Sequence, residues 1–201
     1  MQNQIDYVNG ANLIFNKAIE SQLVFGRGWS YGTEFFIKKK TGKLTGWISY
    51  TLSRTWRQFD SINDGTKFPA KQDITNNLSV VGIYKLNEKV SFSATFVYHT
   101  GFAASFPSGK YTIGNEVVNL YTQRNGYRMP EYNRMDVGVT IQGRKTEKFE
   151  SDWNFSVYNV YGRENPYSIS FQPVPGNPSQ TEAVQLSLFR WVPSVTYNFK
   201  F

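Results

Sequence analysis

Apolar and polar side chains alternate along most of this chain, and in places the period of two holds for a whole long segment. Over 44–57, Leu44, Gly46, Ile48, Tyr50 and Leu52 fall on one side of an extended backbone, while Thr45, Ser49, Thr51 and Ser53 fall on the other, with Trp47 the exception. Successive side chains of a strand point to opposite faces, so the pattern predicts a strand with one apolar and one polar face. The same reading gives strands at 31–39, 74–86, 90–99, 132–144, 151–161 and 186–201, and the end of another at 1–7. Phe36 interrupts the polar side of the first. Asn159 falls in phase with the apolar residues Trp153, Phe155 and Val157, which predicts that the apolar stretch ends before it or is bulged.

The segment 44–57 is much longer than the five or six residues of an ordinary strand. The last strand ends with Val195, Tyr197, Phe199 and Phe201 on one face and Ser194, Thr196, Asn198 and Lys200 on the other. A wall between hydrocarbon and water has this character, apolar outward and polar inward with aromatics near its edges. The connections agree. Antiparallel strands alternate in direction, so the short connections at 40–43, 87–88 and 145–149 share one end with Phe201, and the long ones at 58–73, 101–130 and 162–184 share the other. Short turns at one end and long loops at the other is the arrangement of an outer-membrane barrel. The expected fold is therefore all-β, an antiparallel transmembrane β-barrel segment over residues 1–201. It has about seven strands plus a stub, too few to close an ordinary bacterial barrel without leaving an edge in lipid.

Composition sharpens the picture without changing it. Aromatic residues make up 17% of the chain and there is no cysteine, which removes disulfides and thiolate metal sites. A mean hydropathy of -0.46 is low for a helical membrane protein, but a barrel strand is apolar only at every second residue. No run reaches the roughly 18 apolar residues of a spanning helix, and the first residues hold no signal-peptide apolar core. The net charge of +7 gathers at strand ends: Lys38, Lys39, Lys40 and Lys43 at one turn, Lys85 and Lys89 at the next, Arg144, Lys145 and Lys148 at the third. No DNA-reading helix or RNA-binding aromatic motif accompanies them, so no nucleic-acid partner is expected.

Particular stretches resemble a family. Gly28-Trp29-Ser30-Tyr31-Gly32-Thr33-Glu34, continuing past Lys43-Leu44-Thr45-Gly46-Trp47-Ile48-Ser49-Tyr50, resembles a late barrel hairpin of Bacteroidetes TonB-dependent outer-membrane receptors. Arg124-Asn125-Gly126-Tyr127-Arg128-Met129-Pro130, Tyr158-Asn159-Val160-Tyr161 and the ending Pro193 to Phe201 are similar to that family as well. The resemblance implies the C-terminal part of a 22-stranded barrel in the cell outer membrane, its plug domain and earlier strands lying outside these residues. It further implies TonB-energised uptake of a scarce nutrient, an iron chelate, cobalamin or an oligosaccharide. The implied partners are the TonB complex through the plug, outer-membrane lipid, a small-molecule or siderophore-like ligand, and the barrel-assembly machinery, whose C-terminal signal would be Tyr197, Phe199 and Phe201. The competing expectation is a passive porin-like barrel.

Candidate chemistry is sparse. His99 is the only histidine and has no spaced serine and carboxylate, so no triad is expected, no enzyme and no cofactor. Asp60, Asp64 and Asp73 share a connection, but their spacing matches no calcium loop, and a solvated loop is expected. Glu34, Arg134 and Asp136 are charged residues on the inward face, expected to meet the plug or the transport path. Tyr111, Tyr121, Tyr127 and Arg128 in the longest connection are candidates to touch ligand.

Overall fold

The computed structural model describes residues 2–8, 19–114 and 116–201. In chain order the strands are β1 (Gln4–Tyr7), β2 (Leu23–Lys39), β3 (Leu44–Gln58), β4 (Phe68–Pro69), β5 (Asn76–Lys85), β6 (Val90–His99), β7 (Ala103–Ala104), β8 (Gly109–Ile113), β9 (Glu116–Leu120), β10 (Tyr127–Arg128), β11 (Tyr132–Thr146), β12 (Phe149–Tyr158), β13 (Ser168–Val174), β14 (Asn177–Leu186) and β15 (Val192–Lys200). Two 3-10 turns are present and no α-helix among the described residues.

The wall is one antiparallel sheet in the order β1-β2-β3-β5-β6-β11-β12-β15, with the short β4 added to the end of β3. Each wall strand pairs with the next wall strand in the chain. Because all of them alternate in the same phase, their side chains line up into rows. Leu44, Tyr84, Phe92, Val139, Phe155 and Val195 sit opposite one another on six successive strands. One residue away on the other face the row is Thr45, Ile83, Ser93, Gly138, Ser156 and Ser194. A slip of one residue in any pair would put apolar residues into the polar row, so the alternation itself fixes the register.

Local chemistry sets the short turns. Gly42 has φ +92, a conformation open to glycine at no steric cost. At the β5–β6 turn the Asn87 side-chain oxygen accepts the backbone N–H groups of Lys89 and Val90 at 2.8 and 2.9 Å, closing the turn without a glycine.

Among the described residues no second sheet covers the apolar face. Phe35, Ile48, Val195 and Phe199 are 58%, 46%, 61% and 59% exposed. The buried apolar residues among those described are Phe59, Ile62, Phe68, Ala70, Ala103 and Met129, and all of them lie in or beside the long connections. A β-sandwich would have buried the wall aromatics between two sheets. The sheet also does not close: β1 and β15 are its edges.

Four expectations need correction. The strands number more than seven plus a stub, because the long connections fold into pairs of their own: β7 with β10, β8 with β9 and β13 with β14. Strand β2 begins at Leu23 rather than at residue 31, drawn into extended pairing by β1 on one side and β3 on the other. The connection 58–73 is not simply a polar loop, since Phe59, Ile62 and Phe68 pack with Val24 into a small dry cluster. The last segment is not one strand, because β14 ends at Leu186 and β15 starts at Val192, leaving Phe189 and Trp191 outside the wall. Asn9-Gly10, a turn signal in the sequence, lies outside the described residues. Strand β12 does stop short of Asn159, which has φ +53 and is buried.

Candidate functional site

The long connections all leave one end of the wall, and there they are tied to the wall and to each other. Asp73 is the centre of the first tie. Its carboxylate accepts the Thr55 backbone N–H, and its other oxygen faces the Arg128 guanidinium and, at 3.5 Å, that of Arg54. Arg128 also donates to the Asp73 and Gly101 carbonyl oxygens at 2.7 and 3.1 Å, so one arginine joins two connections to the rim. The Asp73 side chain has no exposed surface, and a buried carboxylate must be paired and hydrogen-bonded in this way. Nearby, a carbon added to Gly101 would lie 1.5 Å from the Met129 carbonyl oxygen, so the two passing backbones require glycine there.

The second tie reaches back to the start of the wall. Arg124 donates to Asp6 at 3.1 Å and to the Tyr7 and Val8 carbonyls at 2.7 and 2.8 Å, while Arg57 meets the other Asp6 oxygen at 3.3 Å. The Asn63 side chain pairs reciprocally with the Arg124 backbone at 2.9 and 2.7 Å. A third tie is the amide of Asn165, reciprocally bonded to the Asn133 backbone at 3.0 and 2.8 Å. Asn159 completes it by donating to the carbonyls of Arg163 and Arg190.

Of the inward charged candidates, Arg134 and Asp136 are brought together, with 3.1 Å between them. Arg134 also donates to the Tyr132 and Tyr158 hydroxyls and lies over the Tyr158 ring at 4.3 Å. Asp136 accepts the Asn159 N–H at 2.9 Å. His99 stacks on Tyr132 with ring centroids 4.9 Å apart. Glu34 belongs to the same row as Tyr132, through Thr51, Asn77 and His99, but stands four strands away. The inward face is therefore polar, with one apolar patch where Phe36 meets Trp47 at 6.0 Å, beside Val81 and Ile83.

The loop candidates separate. Arg128 is engaged in the tie to Asp73. Tyr127 stacks on Phe106 at 5.4 Å, and Phe106 meets the Phe171 ring edge-on at 5.1 Å, so the connection 101–130 touches the β13–β14 hairpin. Tyr111 and Tyr121 are exposed. Between the β8–β9 and β13–β14 hairpins lies an open cleft of about 510 Å³, lined by Ser108, Lys110, Asn119, Phe171, Gln180 and Thr181 among others. Lys110 bridges it to Thr181 at 3.3 Å. Asp60, Asp64 and Asp73 do not assemble, and among the described residues no group of three or more acidic or histidine side chains is placed to hold a metal ion. At the far edge of the wall Tyr197, Phe199 and Phe201 run on from Trp153, with successive centroids 4.7, 6.0 and 6.0 Å apart.

Sequence reasoning missed the roles of Asp73, Arg124, Asn159, Phe106 and Phe171, and the solvated loop expected for Asp73 is corrected by a carboxylate wholly buried among its partners. Each acts across a long separation, and the one local signal available was the dense Arg-Asn-Gly and Tyr-Asn-Val-Tyr punctuation around Arg124 and Asn159. No family model, no curated protein and no solved structure matches this chain.

Proposed function

We propose that the chain is part of the wall of an outer-membrane β-barrel receptor, the C-terminal strands of a TonB-dependent importer that takes up a scarce nutrient through its loop-bearing end. The observation that carries this reading is the unpartnered apolar face: so large an exposed apolar side on an open sheet marks a surface that meets a membrane or a partner. In lipid that side is solvated, provided the two edges are closed by further strands. The length fits. From Leu44 to Leu52 the apolar face runs over nine residues, the roughly 9–11 of a tilted transmembrane strand. Aromatics bound it, with Trp29, Tyr31 and Trp56 toward the loops and Tyr84, Trp153 and Tyr197 toward the turns. The nutrient would be met by the cleft between the two outer hairpins, whose amide, hydroxyl and lysine groups stand beside an aromatic ring.

A passive porin is the competing reading, and the inward patch weighs against it. A water-filled lumen would wet Phe36, which is 62% exposed, together with Ile83 at 39%. A plug would cover both. The absence of cysteine makes a direct test available. In outer membranes of cells expressing the whole gene product, Phe36→Cys is expected to resist a water-soluble maleimide, while Tyr111→Cys on the loops labels fast. Equal rapid labelling at both positions refutes the plugged receptor in favour of an open pore. The 201 residues reconstituted alone are expected to give no discrete channels, and channels from them would contradict the reading of an incomplete wall.

A further inference from the structure

The side-chain charge is distributed very unevenly between the two ends of the wall. Lys38, Lys39, Lys40 and Lys43 flank the β2–β3 turn, Lys85 and Lys89 the β5–β6 turn, and Arg144, Lys145 and Lys148 the β11–β12 turn. Lys200 stands at the same level on β15, opposite Glu150. Against these cations the turn end carries only Glu88, Glu147, Glu150 and, a step further in, Asp152. That end therefore holds +6 of the chain's net +7, and everything else, loops included, is close to balanced. The loop end pairs its arginines with Asp6, Asp73, Glu131 and Glu164. Among the described residues, the ion pair found at the turn end is that of Lys145 with Glu150, at 2.8 Å.

These cations form one continuous edge. The Lys85 N–H donates to the Lys43 carbonyl at 2.8 Å, and the Gln142 N–H to the Lys89 carbonyl at 2.7 Å, so the three turns stand side by side. All ten side chains are exposed. The collar also abuts the apolar face, since Lys43 precedes Leu44 at its turn end, while Lys200 adds its charge from the polar face of β15. Unneutralised charge in water is screened and has no need to be concentrated. Charge concentrated where an apolar band ends is matched by a layer of fixed anions at that same level, and long Lys and Arg side chains can lay their stems on the band while their heads reach it.

The geometry points to a binding surface for anionic phospholipid headgroups along the turn end of the wall. This inference rests on the reading that the apolar face sits in lipid. The headgroups would be held by several lysines at once, and each cation near such a surface strengthens attraction roughly fivefold. The turn end would thus fix the depth of the wall in the membrane, and would prefer a phosphatidylglycerol-like lipid over a zwitterionic one.

The test uses the assembled protein in vesicles of phosphatidylcholine into which brominated phosphatidylcholine or brominated phosphatidylglycerol is introduced, with quenching of tryptophan fluorescence as the readout. Brominated phosphatidylglycerol is expected to bind more tightly, and the preference should fall as salt rises. A Lys40→Gln/Lys43→Gln/Lys89→Gln/Lys148→Gln variant should lose the preference by on the order of tenfold or more. A Lys71→Gln variant, altered at the loop end, should keep it. Equal binding of the two lipids, or a preference that survives in the collar variant, overturns this inference and leaves the membrane reading standing. Absence of quenching by either lipid overturns both.

Discussion

Ile48→Arg separates a wall in lipid from a sheet in water. Ile48 is midway between Leu44 and Leu52 on the apolar face, opposite Ile37 and Val80 on the flanking strands, and it is 46% exposed. In water an arginine at such a half-open position would cost about 0.5–1 kcal/mol in lost cross-strand packing. In the middle of an apolar band it costs about 2–4 kcal/mol, between about 30-fold and nearly 1000-fold in the folding equilibrium. Leu44→Arg, at the band's lower limit, should cost only about 0–1 kcal/mol, because the side chain reaches the polar level. Thr51→Arg lies on the inward face between Glu34 and Asn77, and should stay near the water value. Urea-induced unfolding of the assembled protein in phospholipid vesicles, followed by tryptophan fluorescence, measures all three. If Ile48→Arg and Thr51→Arg agree within about 0.5 kcal/mol, or if Leu44→Arg is as costly as Ile48→Arg, the apolar face is not in lipid and the proposed function falls.

Three further outcomes follow from the ties and turns. Asp73→Ala strips the carboxylate from Arg128 and Arg54, whose side chains are 31% and 39% exposed; water reaches them, so the expected cost is about 2 kcal/mol rather than the 3–5 of a fully buried pair. It should appear as faster tryptic cleavage at Arg124 and Arg128 with unchanged strand content by circular dichroism, and unaltered cleavage would show that the tie does not hold the loop. Gly101→Ala should destabilise by about 1–3 kcal/mol or more, since the new carbon meets the Met129 carbonyl; Gly82→Ala, whose added carbon meets nothing within 4 Å, is the neutral control, and equal melting of the two variants would refute the close approach. At the β11–β12 turn, the hydrogen bond between Lys145 and Glu150 holds the Glu150 carboxyl below its usual range and lifts the Lys145 ammonium above its own. The pair's small contribution is therefore present above the ordinary glutamate pKa and lost as pH falls through the lowered value, and it is lost again when pH rises through the raised lysine value; NMR titration should find Glu150 titrating below the ordinary glutamate value, and a curve at or above that value would refute the pairing.

The wall was legible because its information is local. Alternation over 44–57, the glycine at 42 and the asparagine at 87 each act within a few residues, and they predict strands, turns and faces that the structure bears out. What escaped was long-range. The start of β2 was hidden by Gly26, Arg27 and Gly28, which break the apolar pattern but are held extended by partners on both sides. The long connections read as unstructured because Gly, Pro and Asn punctuate them, although those residues also build the turns of their small hairpins. At the rim, Asp73 and Arg128 are 55 residues apart and Asp6 and Arg124 are 118 apart, so nothing in either neighbourhood announces the partner. Of the candidates on the inward face, Arg134 and Asp136 were legible as charges on one face by their spacing of two, but their ion pair was not, and the Tyr158 ring that completes the cluster comes from the next strand.

In the wall every strand is stitched to its predecessor and successor in the chain, and the intervening small strands never pass through the sheet. A two-strand unit could therefore be removed or duplicated without rethreading any other part. Each such step would preserve the phase of the faces and leave brief reversals on one rim and elaborated ones on the other, so a circumference built this way changes in increments of a hairpin while its two ends diverge freely.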